Sequence, residues 1–245
     1  MLFHLLENHM VLMHYVAEKI KQALDDAIQK KGHALLVLPG GETPRALYTV
    51  LSEMEIPWQQ VTLFLTDERW VDVSSPESNS YWIRKLLLHH AEGLVEFINY
   101  KTLDDQSQDA IENINQQMHT YPEPFDFVLL GMGGDGHVAS LFLPSAFSEG
   151  VNHPLKNIYR EMTQAGSDVI AVQAPIEPYE RVSLSFSRLC HTHALAVLMM
   201  GATKWQQLQA STQRAFATED TPSTAIEYLV RHSQPKTPVQ IFWAP

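Results

Sequence analysis

Apolar residues recur at helical spacing early in the chain, at Leu12, Val16, Ile20, Ala23, Leu24, Ala27 and Ile28. That spacing predicts an amphipathic helix over residues 10–30, stopped by Gly32. Ala34 to Leu38 is a short unbroken apolar run and reads as a buried strand. Thr43-Pro44 reads as an N-cap followed by proline at the first helical position, opening a helix to about Met54. The alternation continues with a strand at Val61 to Leu65, a helix at Asn79 to Leu88 and a short strand at Val95 to Ile98. A polar-rich helix over 105–119 precedes the apolar run Phe127 to Leu130. Val169 to Val172, Arg181 to Ser185 and Ala194 to Met200 read as further strands. Helices are expected from Gly201 to about Arg214 and from Thr224 to Val230, with a last strand at Val239 to Trp243. This pattern predicts an α/β fold: a mostly parallel, doubly wound, Rossmann-like sheet with helices on both faces. No repeat or linker interrupts it, so residues 1–245 are expected to form one domain. The loop from Pro144 to Gly166 is long enough to carry a short helix or to cover a site.

In open sheets of this kind, ligands bind beyond the carboxyl ends of the strands. Four segments fall there: Pro39 to Pro44, Thr66 to Trp70, Gly131 to His137, and Gly201 to Lys204. The third is the most informative. A buried strand stops at Gly131, Gly133, Gly134 and Gly136, with Asp135 and His137 set into the turn. Glycines there let the backbone approach a ligand, so that N–H groups face an anion or a developing oxyanion. A histidine in that turn is placed to move a proton. The competing interpretation is a tight connection whose histidine only bonds the backbone. Gly131 to Gly136 also satisfies the dinucleotide fingerprint, but Pro144 follows too soon for a full helix and no acidic residue closes a second strand about 20 residues on.

The other segments carry chemistry less specifically. Gly40-Gly41 before Thr43-Pro44 joins a flexible turn to a helix N-terminus, which favours phosphate or serves only as a turn and cap. Glu42 would repel phosphate there unless it points outward. Strand alternation turns Asp67 and Arg69 to one side and Glu68 to the other. Arg69 is then a phosphate clamp and Asp67 an acceptor for sugar hydroxyls, or the two are a surface ion pair worth little. Lys204, at a strand-to-helix junction, suits phosphate or is simply solvated. Arg181 is a substrate clamp or a salt-bridge partner.

Composition narrows the partners. The formal net charge is −11 over 245 residues, against a nucleic-acid surface and against an anionic membrane. A few local cations can still dominate one pocket for a small anion. No apolar run reaches membrane-spanning length, and Met1 to Met10 lacks the basic start of a secretory signal. The single cysteine, Cys190, excludes an internal disulfide and reads as a half-buried small hydrophobe rather than a nucleophile. These features suggest a soluble, cytoplasmic protein. His191-Thr-His193 lacks further ligands at metal spacing, so no metal is assigned.

In this order, these residues resemble the 6-phosphogluconolactonase family, part of a wider group with the glucosamine-6-phosphate isomerase/deaminases. Gly131 to Pro144 is similar to that family's G-x-G-x-D-G-H-T-A-S-L-F-P pattern, with Val138 for threonine and Leu143 as an extra residue. Pro39 to Pro44 resembles S-G-G-S-T-P, with Pro39 and Glu42 replacing small residues. Asp67 to Val71, Ser78-Asn79, Arg181 to Leu184 and Gly201 to Lys204 follow the family's later motifs. The resemblance implies cofactor-free hydrolysis of 6-phospho-D-glucono-1,5-lactone to 6-phosphogluconate, the second step of the oxidative pentose phosphate pathway. It implies that His137 is the general base, that Arg69 and Lys204 hold the phosphate beside Gly40 to Thr43, and that Asp67 positions substrate or catalytic groups. Asp135, Gly133 and Arg181 complete the expected site. The expected partner is a phosphosugar lactone, bound by a monomer or weak homo-oligomer. A deaminase is the nearest alternative, but its motif has a carboxylate where this chain has Phe142. A non-catalytic sugar-phosphate sensor is the other.

Overall fold

The computed structural model describes residues 1–143, 166–217, 222–232 and 237–245. Most of the loop expected between Pro144 and Gly166 therefore lies outside the described residues. The main sheet contains strands β1 (Leu2–Leu5), β2 (Ala34–Leu38), β3 (Val61–Leu65), β5 (Glu96–Ile98), β6 (Phe127–Gly131), β9 (Leu195–Met200) and β10 (Gln240–Ala244). Their order is β1-β10-β9-β6-β2-β3-β5, and every neighbouring pair is parallel. Helices cover both faces, as strands buried on two sides require. Every residue of β2 and β3 is buried, which explains their continuous apolar runs. The long helix α1 (His9–Lys31) packs on β2, β6 and β10 through a stripe that includes Leu12, Val16, Ile20 and Leu24, all fully buried. Among the described residues, no helix is long and apolar enough to cross a membrane.

Chain order makes a crevice. From β2 the chain builds outward through β3 to β5, then returns to lay β6 on the other side of β2. The segments leaving β2 and β6 therefore diverge at their carboxyl ends, and they are Pro39 to Pro44 and Met132 to His137.

The structure corrects several sequence expectations. Strands β7 (Val169–Gln173) and β8 (Glu180–Leu184) do not join the parallel sheet. With β4 (Asp67–Arg69) they form a separate antiparallel sheet, ordered β4-β8-β7. The connection from Gln173 to Glu180 is too short for a parallel crossover, which takes a dozen residues or more. Helix α2 is Arg45–Ser52; Thr43 does not cap it, and Pro44 sits in helical geometry at the cap with no side-chain bond. Helix α3 (Asn79–Leu86) and α4 (Ser107–Met118) lie where their periodicity predicts. Three elements escape the pattern: β1, whose residues are mostly exposed, the single 3-10 turn Trp58–Gln60, and the five-residue helix α5 (Phe186–Cys190). Helices α6 (Ala202–Ala217) and α7 (Ala225–His232) complete the described elements. Cys190 is half-buried against the core, and burial pushes its thiol up to about 11, so it is an inert small hydrophobe.

Candidate active site

All four segments meet around one cavity of about 200 Å³ at the switch point. Its walls include Gly40, Gly41, Glu42, Thr43, Asp67 and Arg69 from one side, and Gly133, His137, Arg181 and Lys204 from the other. Of the catalytic and binding residues expected from sequence, only Asp135 stands outside the wall, hydrogen-bonded to His137 behind it.

The β6 turn is built to present an imidazole. Asp135 Oδ1 accepts from the His137 backbone N–H at 3.1 Å and pairs with His137 Nδ1 at 2.5 Å. With an ionised carboxylate as acceptor, Nδ1 carries the proton and Nε2 is left as the basic nitrogen. Burial works to raise the Asp135 pKa, but the hydrogen bond and charge of His137 outweigh it and hold the carboxyl below its usual value. Gly133 closes this turn, donating to the His137 carbonyl at 2.9 Å. Its missing side chain matters: a Cβ there would lie 2.2 Å from His137 Cε1 and 2.7 Å from Asp135 Oδ1. Ile226 N, at the start of α7, anchors the turn by donating to the Gly136 carbonyl at 3.0 Å. No helix follows Gly136 through Leu143, which removes the dinucleotide alternative. Two residues past the histidine, Ala139 adopts φ 51, a left-handed backbone that alanine rarely takes and that is concentrated at functional sites.

The opposite wall comes from β4, where the chain leaves β3 through Thr66 and changes sheets. Asp67 and Arg69 face the cavity and Glu68 faces away, as alternation predicts. The buried Asp67 carboxylate accepts from Thr66 Oγ1 at 2.7 Å and Ser140 Oγ at 2.6 Å. Glu68, fully buried, accepts from Asn79 N, Ser80 N, Ser78 Oγ and Ser80 Oγ at 2.7–3.0 Å, and so caps α3. Asn79 Nδ2 in turn donates to the Asp67 carbonyl at 2.8 Å. Its amide lies so close to Gly40 that a Cβ there would fall 1.8 Å from Asn79 Oδ1. Gly40 is thus a residue of close approach, while Gly41, at φ 94, is one of conformation.

The electrostatics are unusual for so acidic a chain. Arg69 and Arg181 are directly opposed across the β4–β8 pair. Like charges in that position repel. Neither has a carboxylate ion-pair partner among the described residues, and Lys204 has none either. Arg69 spends one donor on the Glu77 carbonyl at 2.6 Å, and Arg181 one on the Pro178 carbonyl at 3.0 Å. Burial lowers the Arg181 pKa first; Asp67 opposes that and Arg69 adds to it. Burial alone lowers the Lys204 pKa. Across the cavity, the backbone N–H groups of Gly40 to Thr43 bond no described residue, and Glu42 is exposed at the rim. Free N–H groups at a helix start and three cations facing a single buried carboxylate, Asp67, form a receptor for a small dianion.

Sequence reasoning missed the supports. Thr66 and Ser140, which fix the Asp67 carboxylate, and Asn79, which spaces β4 from the glycine turn, carry no signal beyond their place in the motifs. Tyr48, whose hydroxyl donates to the Pro39 carbonyl and so ties the glycine turn to α2, is equally silent in the sequence.

Comparison with known proteins agrees on one family. The family model for glucosamine-6-phosphate isomerases/6-phosphogluconolactonase matches residues 7–235. A 6-phosphogluconolactonase of Pseudomonas aeruginosa is 30% identical over 94% of this chain and 89% of its own length. One from Rhizobium meliloti is 29% identical over 99% and 98%. A crystal structure of a 6-phosphogluconolactonase from Shewanella baltica superposes with a TM-score of 0.86 at 27% identity, covering 100% of this chain and 97% of that one.

Proposed function

Since the chain belongs to the glucosamine-6-phosphate isomerase/6-phosphogluconolactonase family, we propose that it hydrolyses 6-phospho-D-glucono-1,5-lactone to 6-phospho-D-gluconate in the oxidative pentose phosphate pathway. The observation that carries this reading is the opposition of Arg69 and Arg181, with Lys204 on the same cavity: three cations that outnumber the buried Asp67 carboxylate beside them and form no ion pair among the described residues. A phosphate supplies the missing charge. With the phosphate against these cations and the N–H groups of Gly40 to Thr43, the sugar ring reaches toward His137.

His137 Nε2 takes a proton from water as the water oxygen bonds to the lactone carbonyl carbon. The carbonyl oxygen gains negative charge, which the cationic surroundings of the cavity favour. Collapse of that intermediate breaks the bond to the ring oxygen, which takes the proton back from the imidazolium. The new carboxylic acid then loses its proton to solvent. Asp135 keeps Nε2 as the basic nitrogen throughout and stabilises the imidazolium while it exists. Asp67, already held by two hydroxyls, is an acceptor for sugar hydroxyls rather than a free base. Water, a base and charge stabilisation balance the reaction, so no cofactor enters it. The partner in this reading is a small phosphosugar, with no nucleic acid or membrane, and the chain works in the cytoplasm as a monomer or weak homo-oligomer. The deaminase alternative is weakened by buried, apolar Phe142, at the position where that activity calls for a carboxylate.

Freshly prepared lactone opens unaided, so the test is proton release above that background. The chain should accelerate it, and His137→Ala should lower kcat by about 10²- to 10⁴-fold with the fold intact. An unchanged rate in that variant would reject the base assignment, and ammonia release from glucosamine 6-phosphate would favour the deaminase.

A further inference from the structure

The ring of Phe142 contacts both the imidazole of His137 and the guanidinium of Arg181. Its centroid lies 4.5 Å from that of His137 at an interplanar angle of 44°. The Arg181 guanidinium carbon is 5.5 Å from the same centroid. Phe142 is only 2% exposed, so the ring is itself held in place by the core. His137 is thereby restrained on three sides: by Asp135 at Nδ1, by the Gly133 backbone, and by this ring. Arg181 has the Pro178 carbonyl at Nε and the ring, and no ion-paired carboxylate among the described residues. An aromatic ring attracts a guanidinium without neutralising it. A carboxylate in its place would hold Arg181 equally well but would cancel the charge that an anion needs.

We infer that Phe142 is a positioning residue that braces the base and one phosphate-binding cation against a common wall, fixing the distance between them. The inference rests on the lactonase reading for its kinetic part and on the geometry alone for the rest. It gives Phe142 a task beyond filling the core: one misplaced ring disturbs proton transfer and anion affinity together.

Phe142→Leu keeps apolar volume and removes the ring. It should lower kcat about 10- to 100-fold, the scale of a misaligned catalytic group. Affinity for inorganic phosphate should fall a few-fold, and Phe142→Tyr should restore most of both. Coupling separates a brace from a generic core defect. In an Arg181→Met background, Phe142→Leu should no longer weaken phosphate binding. In a His137→Asn background it should no longer change the residual rate, yet should still weaken phosphate binding. Imidazole resonances of histidine-labelled protein give a readout that needs no substrate. Wild-type His137 should show the single Nδ1–H form, and Phe142→Leu a mobile or mixed one. Equal losses in every background, or an unchanged His137 spectrum, overturn the inference. A wild-type chain that leaves the lactone at its spontaneous rate overturns the lactonase reading instead, and the spectrum and phosphate titration still decide the brace.

Discussion

Two atoms' worth of space separate a working imidazole from a blocked one. At Gly133 an added methyl would meet His137 Cε1 at 2.2 Å, and the ring's own partners leave it nowhere to retreat. Gly133→Ala should therefore lower kcat at least about a hundredfold while circular dichroism stays native; near-normal turnover would show that the ring sits elsewhere. Lys204 offers a test in pH. Burial lowers its pKa, so it loses its charge at a lower pH than an ordinary lysine. KM should rise on the alkaline side before ordinary lysines titrate, and Lys204→Arg should remove that rise because arginine stays charged. A KM flat with pH in the wild type would exclude Lys204 from the anion site. At this scale the sequence was legible where a residue has no neutral alternative: a glycine before Asp135-Gly-His137, or an arginine at a strand end. Ser140 and Phe142 were not legible as partners, because Ser140 reaches Asp67 and Phe142 reaches Arg181 across sequence separations that only the fold closes; Thr66 adjoins Asp67 in the chain, but sequence alone does not show which way its hydroxyl turns.

Among elements, β4 and α3 form the bracket that sets one wall of the site. Glu68 is its pin, for it satisfies the first backbone N–H groups of α3 from inside the core. Glu68→Ala leaves those donors buried without partners and should destabilise the chain by about 3 kcal/mol in chemical denaturation. A loss under about 1 kcal/mol would mean water reaches them. Strands buried on both faces were read from sequence almost residue for residue, because continuous apolar runs such as Val61 to Leu65 leave few options. What failed was assignment of strands to sheets. Nothing in Arg181 to Ser185 says that its neighbours are antiparallel; the short connection after Gln173 says it, and that constraint is topological. The strand β1 was not legible because its mostly apolar run, Leu2 to Leu5, is only four residues long and exposed, too short for periodicity to tell a strand from a loop. Thr43 was misread because Pro44 enters the turn itself, leaving the cap position without a side-chain acceptor.

At the scale of the whole molecule, the seven-stranded sheet is a platform with one break in its winding, and the cavity stands at that break. A ligand that binds only the folded chain stabilises it by mass action. Inorganic phosphate should therefore raise the thermal midpoint by a few degrees at saturating concentration, and Arg181→Met should abolish most of the rise. No shift with phosphate would argue against an anion site.

Two arginines face each other across one rung of β-ladder, and the single Asp67 carboxylate beside them offsets their charges only in part. Neutrality is left to whatever enters from solution. An emptied cavity should then gather any small oxyanion at hand, so sulfate or phosphate in the buffer will compete with the sugar and make the enzyme look slower than it is.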